Sequence, residues 1–356
     1  MVGVAAVVVA AVVTAAALSD SSEEATLASE GVGVVAEAST TTTAAVRGPD
    51  LMGIDIGPLL DPQHLDLPDE GLALRLGADT VVLLGLDGEV LGHLEGFALS
   101  PQPWTNPPSS GAGPLLLARA DEALVLDGDR LVAVEGGPGA LPLAGGAVLE
   151  PALLRLADGT TVPLPHGEIS VSSDRTWVTV REPNAEGDGY GTSTGYWLPA
   201  GTPVSFDDGC IAAADLGRAP FVLCGNQIWI DDALIRDGGP FANDAGHWAA
   251  AQLSDDGTEL LLQHSGECES PTAWRMALDG TDPTPRPLLD EAWDSGGLGW
   301  LADGRAVAVF GPGACGRVLP QGPGIYAIGD GGAEQIVSMP SDVFDWGAKL
   351  WRQPAL

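Results

Sequence analysis

The sequence predicts an all-β fold assembled from one four-stranded antiparallel unit repeated along the chain, and three observations carry that expectation. Short apolar runs end again and again in Asp-Gly, as in Thr80 to Gly88, Ala123 to Gly128, Leu153 to Gly159, Ala273 to Gly280 and Ile325 to Gly331. Asp-Gly is the dipeptide whose positive φ values suit a two-residue hairpin between strands. No stretch after residue 50 sustains a helical period, and 49 Gly with 28 Pro favour tight turns over helices. The unit recurs every few tens of residues, so each copy buries its apolar faces only by stacking on its neighbours.

The last two copies are the clearest. Leu253-Ser254-Asp255-Asp256-Gly257 turns into a strand from Glu259 to His264, a loop carries Cys268, Trp274 to Leu278 leads to Asp279-Gly280, and a final strand lies near Arg286 to Leu289. The next copy runs Trp300-Leu301-Ala302-Asp303-Gly304, Arg305 to Phe310, a loop with Cys315, Ile325 to Ile328, Asp330-Gly331 and Glu334 to Ser338. This pattern resembles the blades of TolB-like and WD-repeat β-propellers over roughly residues 50 to 356. In earlier units the first turn is expected at Val171-Ser172-Ser173-Asp174 and at Ser205-Phe206-Asp207-Asp208-Gly209, while Leu99-Ser100-Pro101-Gln102 lacks both Asp and Gly.

The resemblance implies a ring of blades around an axis. Outer hairpins are expected after Leu86, Leu126, Ala157, Leu198, Ile230, Leu278 and Gly329, which gives seven blades; six is the alternative if the stretch from Leu141 to Leu164 is an insertion. Trp293-Asp294 precedes Trp300 by seven residues, and Phe344-Asp345 precedes Trp351 by the same interval, so the chain begins another unit and stops. The leftover inner strand is expected to pair with the first blade, completed by Gly71 to Gly77 and the hairpin around Asp87-Gly88, with Trp351 as the closing residue.

Residues 1–18 hold only Ala, Val, Gly and Leu apart from Met1 and Thr14, which reads as a signal peptide or a membrane anchor helix. Ala15-Ala16-Ala17 supplies small residues of the kind a signal peptidase accepts, and no Cys follows for a lipoprotein anchor. Residues 19–49 are rich in Ser, Thr, Glu, Ala and Gly and read as a flexible tether with too little apolar surface to fold. The propeller is assigned to residues 50–356.

The chain carries 49 acidic against 15 basic residues, a formal net charge of -34, with Lys349 its one lysine. Such a surface repels nucleic-acid phosphate and anionic lipid headgroups, so nucleic acid is set aside as a partner. The four cysteines fit an exported protein. Four cysteines allow three pairings. Cys210 with Cys224 is favoured, because Ile211 to Val222 reads as two strands around a turn near Gly217 and Arg218. Cys268 would then pair with Cys315, each lying twelve residues after the Asp of its unit's first turn, Asp256 or Asp303.

Chemical motifs are few. Gly191-Thr192-Ser193-Thr194-Gly195 matches the elbow that exposes a serine nucleophile, yet it needs a strand before it and a helix after it, and Tyr196-Trp197-Leu198-Pro199 reads as a strand. Gly311-Pro312-Gly313-Ala314-Cys315-Gly316 matches a dinucleotide-binding pattern, but Pro320, Gly322, Pro323 and Gly324 forbid the helix it requires. Ser172-Ser173-Asp174-Arg175-Thr176-Trp177 resembles the Asp-box turn of sialidase propellers without its Gly. His64, His93, His166, His247 and His264 are dispersed and read as solvent or loop histidines, so neither a metal nor a cofactor is expected.

Loops before the inner strands are where propellers meet ligands. Trp293, Asp294, Phe344 and Asp345 stand there in two successive units, with Trp104 and Asn106 as a third instance, and an aromatic beside an acid suits a cation or polar ligand. The function expected is a non-catalytic binding or scaffold module at the cell envelope, for an unidentified protein, glycan or small polar molecule. It is expected to be a monomer that meets the membrane only through its N-terminal segment. The alternative is a secreted hydrolase on glycans or peptides, with carboxylates from separate blades converging at the propeller mouth and showing shifted pKa values.

Overall fold

The computed structural model describes residues 56–353 except 100–112, 121, 137–139, 187–188, 199, 218, 241–245, 266–270, 279–283, 290–294, 312–321 and 339–346. The N-terminal segment and tether assigned to residues 1–49 lie outside the described residues. Strands form seven four-stranded antiparallel sheets, and the helical structure among the described residues is one short 3-10 turn, Ala144–Gly146. The fold is a seven-bladed β-propeller.

The first blade contains β1 (Glu70–Leu76), β2 (Thr80–Leu84) and β3 (Val90–Glu95), and the second β4 (Ala98–Leu99), β5 (Leu116–Arg119), β6 (Glu122–Asp127) and β7 (Arg130–Ala133). The stretch from Leu141 to Leu164 is no insertion; it is the third blade, with strands of two or three residues: β8 (Leu141–Pro142), β9 (Val148–Glu150), β10 (Leu153–Arg155) and β11 (Thr161–Pro163). The fourth holds β12 (Glu168–Val171), β13 (Trp177–Pro183), β14 (Tyr190–Trp197) and β15 (Thr202–Phe206). The fifth holds β16 (Ile211–Asp215), β17 (Pro220–Cys224), β18 (Gln227–Ile230) and β19 (Ala233–Asp237). The sixth is β20 (His247–Leu253), β21 (Glu259–Ser265), β22 (Pro271–Ala277) and β23 (Arg286–Pro287), and the seventh is β24 (Ser295–Trp300), β25 (Ala306–Phe310), β26 (Gly324–Gly329) and β27 (Gly332–Ser338). The last strand, β28 (Ala348–Arg352), completes the first blade by pairing with β1.

Apolar residues alternate along these strands or run continuously, and the core they form lies between blades. One cluster joins Leu83, Leu94 and Trp351 of blade one to Leu117 and Leu124 of blade two. Another joins Leu72 and Leu350 of blade one to Val307 and Ile325 of blade seven. Blades five and six share Phe221, Leu223, Trp248 and Leu260, and blades six and seven share Leu261, Trp300 and Phe310. No blade supplies such a cluster alone among the described residues, which is the reason the sheets need a ring.

The ring is locked by its final strand. Register pairs Gly71 with Trp351, and the Trp351 side chain is fully buried. A Cβ at Gly71 would lie 2.3 Å from the Trp351 ring, so glycine is required for the indole to seat. Arg352 then ties three blades: its guanidinium donates to Glu70 of blade one, to Asp255 of blade six and, at 2.8 Å, to the Trp300 carbonyl of blade seven. At the rim, Pro58 to Leu60 runs parallel to β3, with Leu60 N donating to the His93 carbonyl and His93 N to the Pro58 carbonyl at 2.9 Å each. The same segment reaches blade two, where Leu131 N donates to the Pro62 carbonyl. It thereby covers a sheet edge that would otherwise present unpaired backbone groups.

The Asp-Gly turns take more than one form: Asp330-Gly331 is the two-residue connection expected, between paired Gly329 and Gly332, whereas the turn after Leu84 is longer. In the turn from Gly85 to Glu89 only Gly88 has positive φ, its N–H donates to the Gly85 carbonyl, and the Asp87 carboxylate accepts from Glu89 N at 3.0 Å. The aspartate is there for its side-chain acceptor and the glycine for its left-handed backbone. Two-residue turns with positive φ at both positions occur at Asp231-Asp232, where no glycine stands. A second correction concerns Asp207-Asp208-Gly209, which follows β15 and leads to β16: it links blades four and five and is not the first turn of a blade.

Replacing Trp351 with alanine is expected to cost about 3–5 kcal/mol of folding free energy, the usual scale for emptying a buried indole site, and Gly71→Ala about 1–3 kcal/mol through overpacking. Urea titration followed by tryptophan fluorescence measures both; a midpoint unchanged in either variant would contradict the closure described.

Candidate functional site

Cys210 and Cys224 form a disulfide with Cα atoms 4.2 Å apart, joining the residue before β16 to the end of its partner β17. Cys268 and Cys315 lie outside the described residues, as do Trp104, Asn106, Trp293, Asp294, Phe344 and Asp345. What the described strands fix is the frame of those positions. Residues 290–294 separate β23 from β24 and residues 339–346 separate β27 from β28, the passages from one blade's outer strand to the next inner strand. Trp104 falls between β4 and β5, an inner strand and its own second strand.

The serine motif carries no nucleophile. Ser193 lies inside β14, fully buried between β13 and β15, with no hydrogen-bond partner for its hydroxyl. The glycines have structural roles instead: a Cβ at Gly195 would lie 2.3 Å from the Phe206 ring. Two histidines expected in solvent or loops are buried strand residues. His93 hydrogen-bonds the Gly57 carbonyl at 3.1 Å, and His264, with no exposed surface, shares a 3.0 Å hydrogen bond with Asn226 of blade five and packs edge-on against Trp248. Both fasten neighbouring segments. No group of three or more His, Cys, Asp or Glu able to hold a metal ion occurs among the described residues.

Two polar constellations remain, at opposite ends of the ring. At the end where chain passes between blades, blade four presents Glu168 at the start of β12, Arg181 near the end of β13 and Tyr190 at the start of β14. Arg181 donates to Glu168 at 2.5 Å, its guanidinium sits 4.2 Å from the Tyr190 ring centroid, and the Tyr190 hydroxyl donates to the other oxygen of Glu168. That hydrogen bond, with partial burial, raises the Tyr190 pKa. Tyr190 remains 44% exposed, so the cluster shows an aromatic face beside an acid to solvent.

The other constellation grows from the turns after the inner strands. In blade six, Ser254 Oγ donates to Asp256 and accepts from Glu259 N, Thr258 N donates to Asp256 Oδ1, and Gly257 supplies φ +71°. Blade four repeats each bond with Ser172, Asp174, Thr176 and Trp177. Blade seven places Gly304 in the same left-handed position. In blade four that position is held by Arg175, at φ +60°, a conformation that costs a side-chain-bearing residue about 1–2 kcal/mol.

The Arg175 guanidinium reaches toward Gly113, where an added Cβ would lie 2.8 Å from Nη2. Gly113 in turn forms a parallel bridge with Trp351, and its carbonyl accepts from Arg352 N at 2.9 Å. Since the other edge of β28 is occupied by β1, Gly113 lies on the edge that faces the axis. Lys349 stands on the same strand. Burial lowers the Arg175 pKa to about 10, and burial followed by repulsion from Arg175 lowers that of Lys349 to about 8. The described carboxylates with displaced pKa values, Asp61, Asp158 and Asp256, are all lowered, each by the hydrogen bonds of its turn. Sequence reasoning passed over the Arg175–Lys349 pair, although its two signals, the missing glycine and the solitary lysine, were visible.

The architecture defines the class: a seven-bladed propeller closed by its C-terminal strand. No protein-family model and no curated protein matches the chain. Among solved structures it is similar to the propeller domain of the Trilobed protease from Pyrococcus furiosus, at 12% identity and TM-score 0.47, over 79% of this chain and 98% of that one. It is also similar to the periplasmic gluconolactonase PpgL of Pseudomonas aeruginosa (13%, TM-score 0.40, 80% and 99%) and to TolB from Acinetobacter baumannii (12%, TM-score 0.33, 80% and 66%). Likeness at this level carries no argument, and the propeller assignment rests on the sheet topology.

Two stability measurements check the cationic pair. Arg175→Gly should gain about 1 kcal/mol by relieving left-handed strain. For Lys349 the folded-state pKa lies below its ordinary value of 10.5, so the ammonium opposes folding below about pH 8 and stability rises as pH climbs from about 8 toward 10.5. Lys349→Met should therefore gain about 1–3 kcal/mol at pH 7 and lose that advantage in alkaline urea titrations. A loss of stability at neutral pH in both variants would refute the buried-charge account.

Proposed function

We propose that this protein is an extracytoplasmic, non-catalytic binding module whose ligand sits at the end of the ring where chain passes from blade to blade. The observation that carries the reading is the Tyr190–Glu168–Arg181 cluster, an exposed aromatic face beside a carboxylate already held by an internal ion pair. Trp293-Asp294 and Phe344-Asp345 repeat the aromatic–acid pairing in two further passages between blades. Such a surface recognises a polar or cationic group by stacking and hydrogen bonding. General-acid chemistry asks for a carboxyl with an elevated pKa, and the displaced carboxylates described are lowered by turn hydrogen bonds.

The Cys210–Cys224 disulfide, of a kind that persists where thiols oxidise, and the apolar run of residues 1–18 support an extracytoplasmic compartment. No helix among the described residues is long and apolar enough to cross a membrane.

A calorimetric screen of the full chain against cell-envelope glycans and peptides tests the reading. Tyr190→Ala and the double change Trp293→Ala with Asp294→Ala should each weaken the ligand found by about tenfold or more, the scale of an aromatic hot spot. Undiminished affinity in both variants, or hydrolysis of a screened compound that disappears when Glu168 becomes Gln, would overturn it.

A further inference from the structure

Five apolar clusters hold the ring together, and they account for every junction between blades but one. Leu83 and Leu117 join blades one and two, a single cluster running from Leu116 through Leu149 to Val178 spans blades two, three and four, and the clusters already described join blades five to six, six to seven and seven to one. No apolar cluster of the described residues spans blades four and five. What crosses there is polar: Thr179 Oγ1 accepts from Ala212 N at 3.1 Å, Asp174 Oδ2 from Asp215 N at 2.7 Å, the Ala213 carbonyl from Ser173 N at 3.2 Å, and Asp215 from the Trp197 indole at 3.2 Å.

The face that blade four turns to this junction explains the difference. Thr179 fixes which face it is, and residues in register with it, or two positions along the strands, share it: Ser170, Trp177, Arg181 and Ser193. The opposite face carries Val178, Val180 and Tyr196 into the cluster with blade three. Ser170 Oγ, Trp177 Nε1, Arg181 Nε and Ser193 Oγ are all buried without a hydrogen-bond partner among the described residues. Phe206, in register with Ser193, packs on Trp177 within its own blade, with 6.0 Å between ring centroids.

We propose that the junction of blades four and five is the joint at which the ring opens while its other junctions stay closed. Parting an apolar cluster exposes its whole area to water, whereas parting a polar junction exchanges most of its hydrogen bonds for bonds to water. Here the exchange runs further in favour of opening, because hydroxyl and N–H groups that have no partner in the closed ring gain one when water reaches them. In a ring of seven this junction lies directly across from blade one, where β28 and β1 stitch the two ends of the propeller together. Trp351 thus holds the side opposite, so parting blades four and five opens the circle without releasing either end. The inference goes beyond the ligand reading and does not rest on it.

Two backbone amides report on the joint directly. Ala212 N crosses from blade five to Thr179 of blade four, and Trp248 N crosses from blade six to the Gly225 carbonyl of blade five at 2.8 Å; both residues are buried, at 1% and 2% exposure. Hydrogen exchange of the full chain is followed by NMR at a series of urea concentrations below the unfolding transition. The Ala212 amide should exchange about tenfold or more faster than the Trp248 amide, after correction for intrinsic rates, and with a weaker urea dependence than global unfolding, the mark of a sub-global opening. The double change Ser170→Ala with Ser193→Ala removes two hydroxyls that gain from opening, and should slow Ala212 exchange by about tenfold while leaving Trp248 unchanged. Equal protection of the two amides, Ala212 exchange that shares the urea dependence of global unfolding, or a folded double variant with Ala212 exchange unaltered overturns the joint. The comparison of the two amides is made in the unaltered chain, so it decides the matter even if the double variant fails to fold.

Discussion

Everything in this molecule depends on the inability of any one of its sheets to hide both of its faces. Four short strands make a slab with two apolar sides, and a single slab leaves both sides wet. Setting the slabs radially lets each side find a neighbour, but the arrangement works only if the circle is complete. The seam between β28 and β1, where the two ends of the ring meet within the first blade, is therefore where glycine and indole are fitted together. Gly71 gives up its side chain so that the Trp351 indole can lie against the backbone, and Arg352 gathers Glu70, Asp255 and the Trp300 carbonyl from three blades around that seam. Burial of the indole supplies the energy, and the guanidinium, with its several donors, supplies the alignment.

Within this frame, the turn after each inner strand is a module with fixed and free positions. Ser254 and Asp256 in blade six, and Ser172 and Asp174 in blade four, satisfy the turn's own backbone amides and leave the side chain at the left-handed position without a structural duty. Glycine fills that position at no conformational cost. An arginine there carries its guanidinium from a rigid base to the neighbourhood of Gly113, so one substitution in a repeated turn installs a charge at a defined point of the ring.

Much of the fold was legible because its signals are local. Apolar runs ending in Asp-Gly located five of the seven outer hairpins, with the other two read after Leu198 and Ile230, the interval from Phe344 to Trp351 announced the returning strand, and the short turn between Cys210 and Cys224 fixed one disulfide. Turn type was misread at Asp87-Gly88, because the dipeptide alone does not reveal that the Asp87 side chain, rather than a second positive φ, completes the turn. Asp207-Asp208-Gly209 was misplaced for the same reason: the tripeptide suits a link between blades as well as a turn within one. The buried states of His93 and His264 were invisible because they depend on Gly57 and Asn226, partners distant in the chain. The site was least legible of all. Glu168, Arg181 and Tyr190 meet only through the pairing of β12, β13 and β14, which the order of residues alone does not display.

The seam has a consequence for biosynthesis. Because β28 follows β1 by the whole circuit of the ring, β1 keeps an unpaired inner edge until the seventh blade has been made, and the circle cannot shut earlier. Contacts between the two termini of the ring are the most non-local kind and form slowly. Until that strand arrives, the seam presents an open edge to other chains as well as to its own β28.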